Sequence, residues 1–368
     1  MKVWIVGHTY VTALSHGKLR ALAALPGVDL TLLVPRGWRT ALGAAPLAVT
    51  AAEGYRIVTS RLALDGRIGA YLYRDGLGAL RRARPDVVQA EVEPWSLAAL
   101  QCSLAAGAAR LVLFTWENLE GPRRLVSRAV ERVVLRRAAF VVAGNHGARA
   151  RMLRRGVPPE RLAVLPQLGV DPVRYAAGDP ARVRARHPQE GPVVGYVGRL
   201  VPEKAVDVLL AAVAGIDARV LVVGDGVARA GLERQAGSWP AGKAAFAGAV
   251  SDADVPDHLA AMDALVLPSR TTATWAEQFG HVLIEAMAAG VPVVGSSSGA
   301  IPEVIGDAGL IFPENDAAAL AAQLRRLLGD EALRKALVER GRERVARRFT
   351  HEVVAAAYLD VWKGLLRR

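Results

Sequence analysis

Four side chains in the second half of the sequence have the types and spacing to grip an anion and a polyol. In GRLVPEKAVDVLL, residues 198–210, Arg199 directly follows an apolar run and Lys204 stands five positions later, where a helical pattern begins. Two cations near a strand end and a helix N-terminus can jointly neutralise a diphosphate, the guanidinium in bidentate fashion and the ammonium as a point charge. Taken alone, each is equally a surface charge. In EQFGHVLIEAMAAGVPVVGSSSGAIPEVIGDAG, residues 277–309, Glu277 falls in a loop, Gly280 opens a helix and Glu285 falls near its middle. The amides around Phe279–His281 would point out of the helix N-terminus towards an anion. Glu285, about a turn further on, can accept hydrogen bonds from two vicinal hydroxyls, and Glu277 can do the same for a second sugar. A phosphate cradle flanked by two hydroxyl-accepting carboxylates describes a sugar-nucleotide site.

Other chemistries lack their residues. There is no G-x-x-x-x-G-K-[ST] loop, and Gly7 stands alone after the first apolar run, without a G-x-G-x-x-G. The single cysteine, Cys102, excludes an intrachain disulfide and a multi-thiolate metal site. The Asp252/Asp254 pair opens SDADVPDHLAAM, where Ser251 or Asp252 is expected to cap a helix rather than hold a metal.

These residues need elements to position them. The chain has 368 residues, 52% hydrophobic and 22% charged, enough for two domains with sizeable cores and too apolar for disorder. Strands are predicted at Val3–Val6, Leu30–Val34, Val87–Ala90, Leu111–Phe114, Phe140–Ala143, Val193–Val197, Val220–Val223, Ala264–Leu267 and Val291–Val294. Amphipathic segments such as Ala205–Ala214 and Ala317–Leu328 lie between them, the signature of parallel sheets covered on both faces. VWIVGH at the start and VVGYVGRL at 193–200 each run a strand into a Gly-containing loop, as two Rossmann-like domains would. A Pro/Gly/Arg-rich stretch, Leu165 to Pro192, looks like a linker. The expected domains are therefore 1–170 and 171–350. The last segment, His351 to Arg368, reads as an amphipathic helix with Val353, Ala357, Val361 and Leu365 on one face.

The Glu277/Glu285 pair, GRL…EK, VVGDG at 222–226, FAGAV at 246–250 and GAIPEVIGD at 299–307 together resemble the glycosyltransferase family 4 (group 1) proteins. The likeness is dense over 190–310 and looser over 130–175. It implies a GT-B fold, two Rossmann-like domains facing across a cleft, with the helix 351–368 returning to the N-terminal domain. It also implies a retaining hexosyltransferase that draws on a UDP-, GDP- or ADP-sugar and needs no metal or other cofactor. By this resemblance Arg199 and Lys204 hold the donor diphosphate, Glu285 the ribose, and Glu277 the donor hexose. The Phe279–Gly280 backbone would touch sugar and phosphate, Val250 would lie beside the base, and the Gly7 loop would approach the phosphates. The reaction needs no enzyme nucleophile in that family, since the departing phosphate oxygen takes the acceptor's proton on the same face. Two other classes remain open: another activity on this fold, an epimerase or a phosphorylase, and a non-catalytic nucleotide-sugar binding protein.

On the acceptor side the first domain departs from the family. Relatives often have a His after the strand that DVVQAEVEPWSL (86–97) resembles; here Gln89, Glu91 and Glu93 stand there. Glu91 or Glu93 can orient an acceptor hydroxyl, or cap the helix at Pro94–Trp95. Glu117 in FTWENLEG and His8 beside Gly7 are further candidates. The excess behind the net charge of +12 lies in residues 1–170, which hold 24 Lys and Arg against 11 Asp and Glu, whereas residues 171–368 hold 23 against 24. In 122–139, Arg124, Arg128, Arg132 and Arg136 recur every four residues beside Leu125, Ala129, Val133 and Val134. That is either a core-packed helix with a solvated basic face or an interfacial helix drawn to an anionic membrane surface. A lipid-linked acceptor fits the second reading, and the resemblance leaves a hydroxyl of a glycan or of a lipid-linked acceptor as the target. Nucleic acid is not expected, because no basic segment carries interleaved aromatics. Without a signal-peptide pattern or an 18-residue apolar window, the expected location is the cytoplasm, at most peripheral to the inner face of a membrane.

Overall fold

The computed structural model describes residues 1–40, 43–121, 124–187 and 191–367. Pro122 and Arg123 of the expected interfacial helix, residues 188–190 of the expected linker and the terminal Arg368 lie outside the described residues. The chain divides into two compact units, Met1–Gly169 with His351–Arg368, and Val170–Thr350.

In chain order the first unit contains β1 (Lys2–Gly7), β2 (Asp29–Pro35), the antiparallel hairpin β3–β4 (Gly37–Thr40, Gly43–Pro46) and β5 (Arg56–Ser60). It continues with the hairpin β6–β7 (Leu62–Ala63, Leu72–Tyr73), β8 (Val87–Glu91), β9 (Arg110–Thr115), β10 (Phe140–Ala143) and β11 (Leu162–Val164). Seven of these form one parallel sheet in the order β11-β10-β9-β8-β1-β2-β5. Its helices are α1 (Gly17–Ala23), α2 (Leu77–Ala83), α3 (Leu97–Ala105), α4 (Leu125–Arg137) and α5 (His146–Arg154). Because side chains alternate along a strand, Val3 and Ile5 enter one core while Trp4 and Val6 enter the other. Covering both faces keeps water from an apolar strand that has no polar side.

The second unit begins with α6 (Pro172–Ala176) and α7 (Pro180–Arg186), so the Pro/Gly/Arg-rich stretch read as a linker carries two short helices. Asp171 and Asp179 cap these helices from just before a proline at the first helical position, a strong start signal. Six parallel strands follow: β12 (Val193–Val197), β13 (Arg219–Val223), β14 (Ala244–Gly248), β15 (Ala264–Leu267), β16 (Val293–Ser296) and β17 (Gly309–Phe312). Their order is β14-β13-β12-β15-β16-β17. The helices are α8 (Val206–Ala214), α9 (Arg229–Ala236), α10 (Val255–Ala260), α11 (His281–Ala289), α12 (Ile301–Ile305), α13 (Ala317–Gly329) and α14 (Glu331–Arg348). Cap expectations at Ser251 and Asp252 are not met: α10 starts at Val255, and the Ser251 hydroxyl donates to the Asp254 carboxylate at 2.6 Å.

The last helix, α15 (His351–Leu366), belongs to the first unit and packs on α1. Its inward face is Val354, Ala355, Tyr358, Leu359, Trp362 and Leu365, one position round from the stripe read in the sequence. The aromatic pair decides the rotation, since Tyr358 and Trp362 bury far more area than Val353 and Ala357 would. In α4 the inward residues are Val130, Val134 and Leu135, while Leu125, Ala129 and Val133 face solvent. Trp362 is fully buried and its indole N–H donates to the Gln89 side chain at 3.2 Å. Trp362→Ala is expected to destabilise the first unit by about 3–5 kcal/mol in urea denaturation, the usual cost of emptying a large aromatic site. A change under about 1 kcal/mol would mean that α15 contributes little to that core.

Candidate active site

In the second unit the chain leaves β12 towards β13 on one side, and β15 lies on the other. Open parallel sheets bind ligands outside the carboxyl ends of their strands at such a reversal. The two loops that emerge there, 198–205 after β12 and 268–280 after β15, carry the residues singled out above. Lys204 Nζ lies 2.5 Å from Glu277 Oε2, and the Ser269 hydroxyl donates to the same oxygen at 2.8 Å. The Lys204 ammonium also sits 5.1 Å from the centre of the Trp275 ring.

The loops are tied together behind this pair. The Arg270 amide donates to the Glu203 carbonyl at 2.9 Å, and its guanidinium reaches both Asp207 oxygens at 2.5 and 2.6 Å. The Ala300 amide donates to the Glu277 carbonyl at 2.9 Å. Gly299, at φ +53°, lies so close that a Cβ there would stand 2.1 Å from the Glu277 carbonyl oxygen. Only a glycine fits.

Gly280, at φ +81°, is the N-cap of α11 and offers no capping side chain, leaving the first-turn amides to face whatever lies ahead of the helix. Phe279 is buried against Phe349. Glu285 follows in mid-helix, half-buried. Loss of water raises its pKa to about 7, and the Tyr175 hydroxyl and the Arg174 charge hold that rise back. Arg199 is exposed two residues past β12, and no carboxylate pairs with it among the described residues. Val250 is half-buried just past β14.

Family models match both units. Residues 179–344 match the group 1 glycosyl transferases, and residues 11–167 match the glycosyl transferase 4-like domain. A GDP-mannose-dependent alpha-(1-6)-phosphatidylinositol monomannoside mannosyltransferase of Mycobacterium tuberculosis is 31% identical over 285 residues, 74% of each chain. The chain belongs to the group 1 glycosyltransferase family.

A phosphatidyl-myo-inositol mannosyltransferase of Mycolicibacterium smegmatis is 38% identical over 203 residues, 53% of this chain and 50% of that one. The chain thus spans about half the length of the first curated relatives that it matches. Among solved structures, Anabaena HepE in complex with UDP superposes with a TM-score of 0.75 at 18% identity, covering 99% of this chain and 100% of that one. At that identity the likeness speaks for the fold alone, the GT-B fold of two parallel Rossmann-like units.

In the first unit of this family member, the reversal point lies between β1 and β8, where Gly7 pairs in register with Glu91. Glu91 is fully engaged: it accepts from Lys18 at 2.5 Å, the Tyr10 hydroxyl at 2.7 Å and the Gln167 amide at 2.8 Å, with Lys18 and Glu91 both buried. Glu93 accepts from the Thr115 hydroxyl at 2.7 Å and the Trp116 amide at 3.0 Å, and Ser96 rather than a glutamate caps α3. Glu117 lies 3.6 Å from the buried guanidinium of Arg151. His8 stacks 4.2 Å from Trp38, and its Nδ1 is 3.3 Å from the Tyr71 hydroxyl. Burial holds its pKa down to about 4, so near neutral pH it carries no charge.

Sequence reasoning missed Ser269, Arg270, Trp275 and Tyr175 at the second site, and Lys18, Tyr10 and Gln167 at the first. Arg270 carried a signal, since it follows the apolar run 264–267 at a short distance, across Pro268 and Ser269, much as Arg199 follows 193–197 across Gly198. Among the described residues no three His, Cys, Asp or Glu side chains gather as a metal site. Glu285 sets a pH test. Its raised pKa means that the fold favours the protonated carboxyl, so the group's contribution to stability is complete below about pH 4.5 and fades as pH rises through about 7. Glu285→Gln should therefore raise the melting temperature at pH 8 and leave it nearly unchanged at pH 5. Equal shifts at both pH values would remove burial as the cause.

Proposed function

We propose that this chain is a retaining glycosyltransferase that moves a hexose from a nucleoside-diphosphate sugar to a hydroxyl of a glycan or lipid-linked acceptor. The observation that carries the reading is the Lys204–Glu277 pair at the reversal point of the second sheet, beside the start of α11. A cation, a carboxylate and a helix N-terminus within one loop cluster suit a diphosphate with a polyol attached. The second unit, Val170–Thr350, then acts as the donor domain and the first as the acceptor side.

On binding, Lys204 turns from Glu277 to the diphosphate, Arg199 meets it from the neighbouring turn, and Glu277, kept in place by Ser269, accepts from the hexose hydroxyls. Phe279 and Gly280 bring the first amides of α11 to the phosphate, Glu285 accepts from the ribose, and Val250 lies beside the base. The bond from the sugar's anomeric carbon to the diphosphate oxygen breaks with its electrons on the leaving oxygen. The acceptor oxygen bonds to that carbon on the same face, and its proton passes to the departing phosphate. The protein contributes position and charge stabilisation, and the family resemblance calls for no metal.

Two relatives whose names specify phosphatidylinositol-based acceptors and, in one case, GDP-mannose support a glycolipid product. Among the described residues no helix is long and apolar enough to cross a membrane, so work on a lipid acceptor would be done from a surface. The basic helix α4 suits the anionic inner face.

Incubation with UDP-, GDP- and ADP-sugars should release free nucleoside diphosphate slowly with at least one donor. Glu277→Ala should abolish that release; unchanged hydrolysis would remove its assigned role. Lys204→Ala should weaken nucleoside-diphosphate binding by about 1.5–3 kcal/mol in calorimetry, the range for a hydrogen bond between charged groups. Unaltered affinity would dismiss the diphosphate assignment.

A further inference from the structure

The donor reading uses none of the arginines on α4, although the charge excess lies in their half of the chain. Arg128, Arg132 and Arg136 recur at the four-residue spacing that places side chains on one helix face, where like charges repel. They line a cavity of about 470 Å3 whose opposite wall carries Arg154 and Arg155 from the end of α5 and Arg161 just before β11. The volume is that of a small-ligand site.

The acids nearby are already engaged. Glu131, the one acid among the described residues that line the cavity, pairs with the buried Arg151 at 2.5 Å and with Arg155 at 3.3 Å. Glu120 is shared between Arg154 at 3.4 Å and Arg155 at 2.7 Å, and Arg161 donates to the Ala138 carbonyl at 3.1 Å. These contacts fix the far wall. On the near wall, among the described residues, no carboxylate pairs with Arg128, Arg132 or Arg136. Three exposed guanidinia converging on a preformed hollow, with their natural counter-charges consumed elsewhere, lack an anion.

We propose that this cavity binds a phosphate group, as a monoester or diphosphate, separately from the donor diphosphate. Guanidinium forks match phosphate oxygens two at a time, and several around one hollow select a multiply charged group over a single carboxylate. What the phosphate is attached to has its own trace. Leu125, Val126 and Val133 on the same helix are 80%, 68% and 45% exposed, an apolar border suited to the chain side of a lipid headgroup. A free phosphate ester would use the arginines alone.

Binding can be read without turnover, so this inference and the donor reading fail separately. Inorganic phosphate is titrated by calorimetry, and sedimentation is followed with phosphatidylcholine vesicles, with and without phosphatidylglycerol. The double variant Arg132→Ala/Arg136→Ala should lose on the order of tenfold or more in affinity for at least one probe. Both side chains are exposed and unpaired, so folding should survive. Arg81→Ala/Arg82→Ala on α2 removes the same charge elsewhere in the first unit and should retain wild-type binding. Loss confined to anionic vesicles and repeated by Leu125→Ser/Val126→Ser identifies a headgroup. Loss with inorganic phosphate that Leu125→Ser/Val126→Ser does not repeat identifies a soluble ester. Equal losses in the two double-arginine variants, or no binding of either probe by the wild type, would overturn the proposal.

Discussion

Lys204 and Glu277 lie within 2.5 Å of each other with side chains only 13% and 8% exposed, so each is the other's main compensation for lost water. Removing one member of such a pair leaves an uncompensated charge, which is why pairs of this kind constrain everything attached to them. Here that is the whole rim of the second sheet. The loop after β15 must bend so that Glu277 faces back over β12. Arg270 on Asp207 and Glu203 holds that bend, and Gly299 clears the space it needs. On the proposed reading, a diphosphate arriving at Lys204 would compete with Glu277 for one ammonium, and the two anions would repel. On that reading, Ser269 and the hydroxyls of a sugar would keep the carboxylate in place and couple tail and polyol into one recognition event.

The strands legible in the sequence are the ones buried on both faces. Val3–Val6, Val220–Val223 and Ala264–Leu267 are unbroken apolar runs, and Leu30–Val34 is broken only by Thr31, because each is buried on both faces. The four ladder strands left unread, β5, β11, β14 and β17, are the outer strands of the two sheets. An edge strand is partly exposed, and Arg56, Thr59, Gly248 and Gly309 dilute the pattern there. Pro292 moved the start of β16 from Val291 to Val293, since a proline cannot donate to an inner ladder.

At the site, residue types were legible and partnerships were not. Sequence order placed Lys204 and Glu277 in loops 73 positions apart, and nothing in either segment says that they touch. Glu91 shows the reverse problem. It looked as available as Glu277, a carboxylate at the carboxyl end of a parallel strand, but Lys18, Tyr10 and Gln167 converge on it from three other segments.

The two lysine–glutamate pairs therefore occupy equivalent places in their sheets and differ in one physical respect. Lys18 and Glu91 are completely shut from water, with Tyr358 of the last helix lying 4.4 Å from the ammonium. Burial pulls the Lys18 pKa down while the Glu91 charge holds it up, so the proton stays only because the partner does. Lys204 keeps 13% of its side chain exposed beside the Trp275 ring, so water reaches this pair, and on the proposed reading an incoming anion would too. The same pair of residue types is a strut shut from water in the first unit and, on the proposed reading, an exchangeable contact in the second, and side-chain exposures of 13% and 8% against none separate the two.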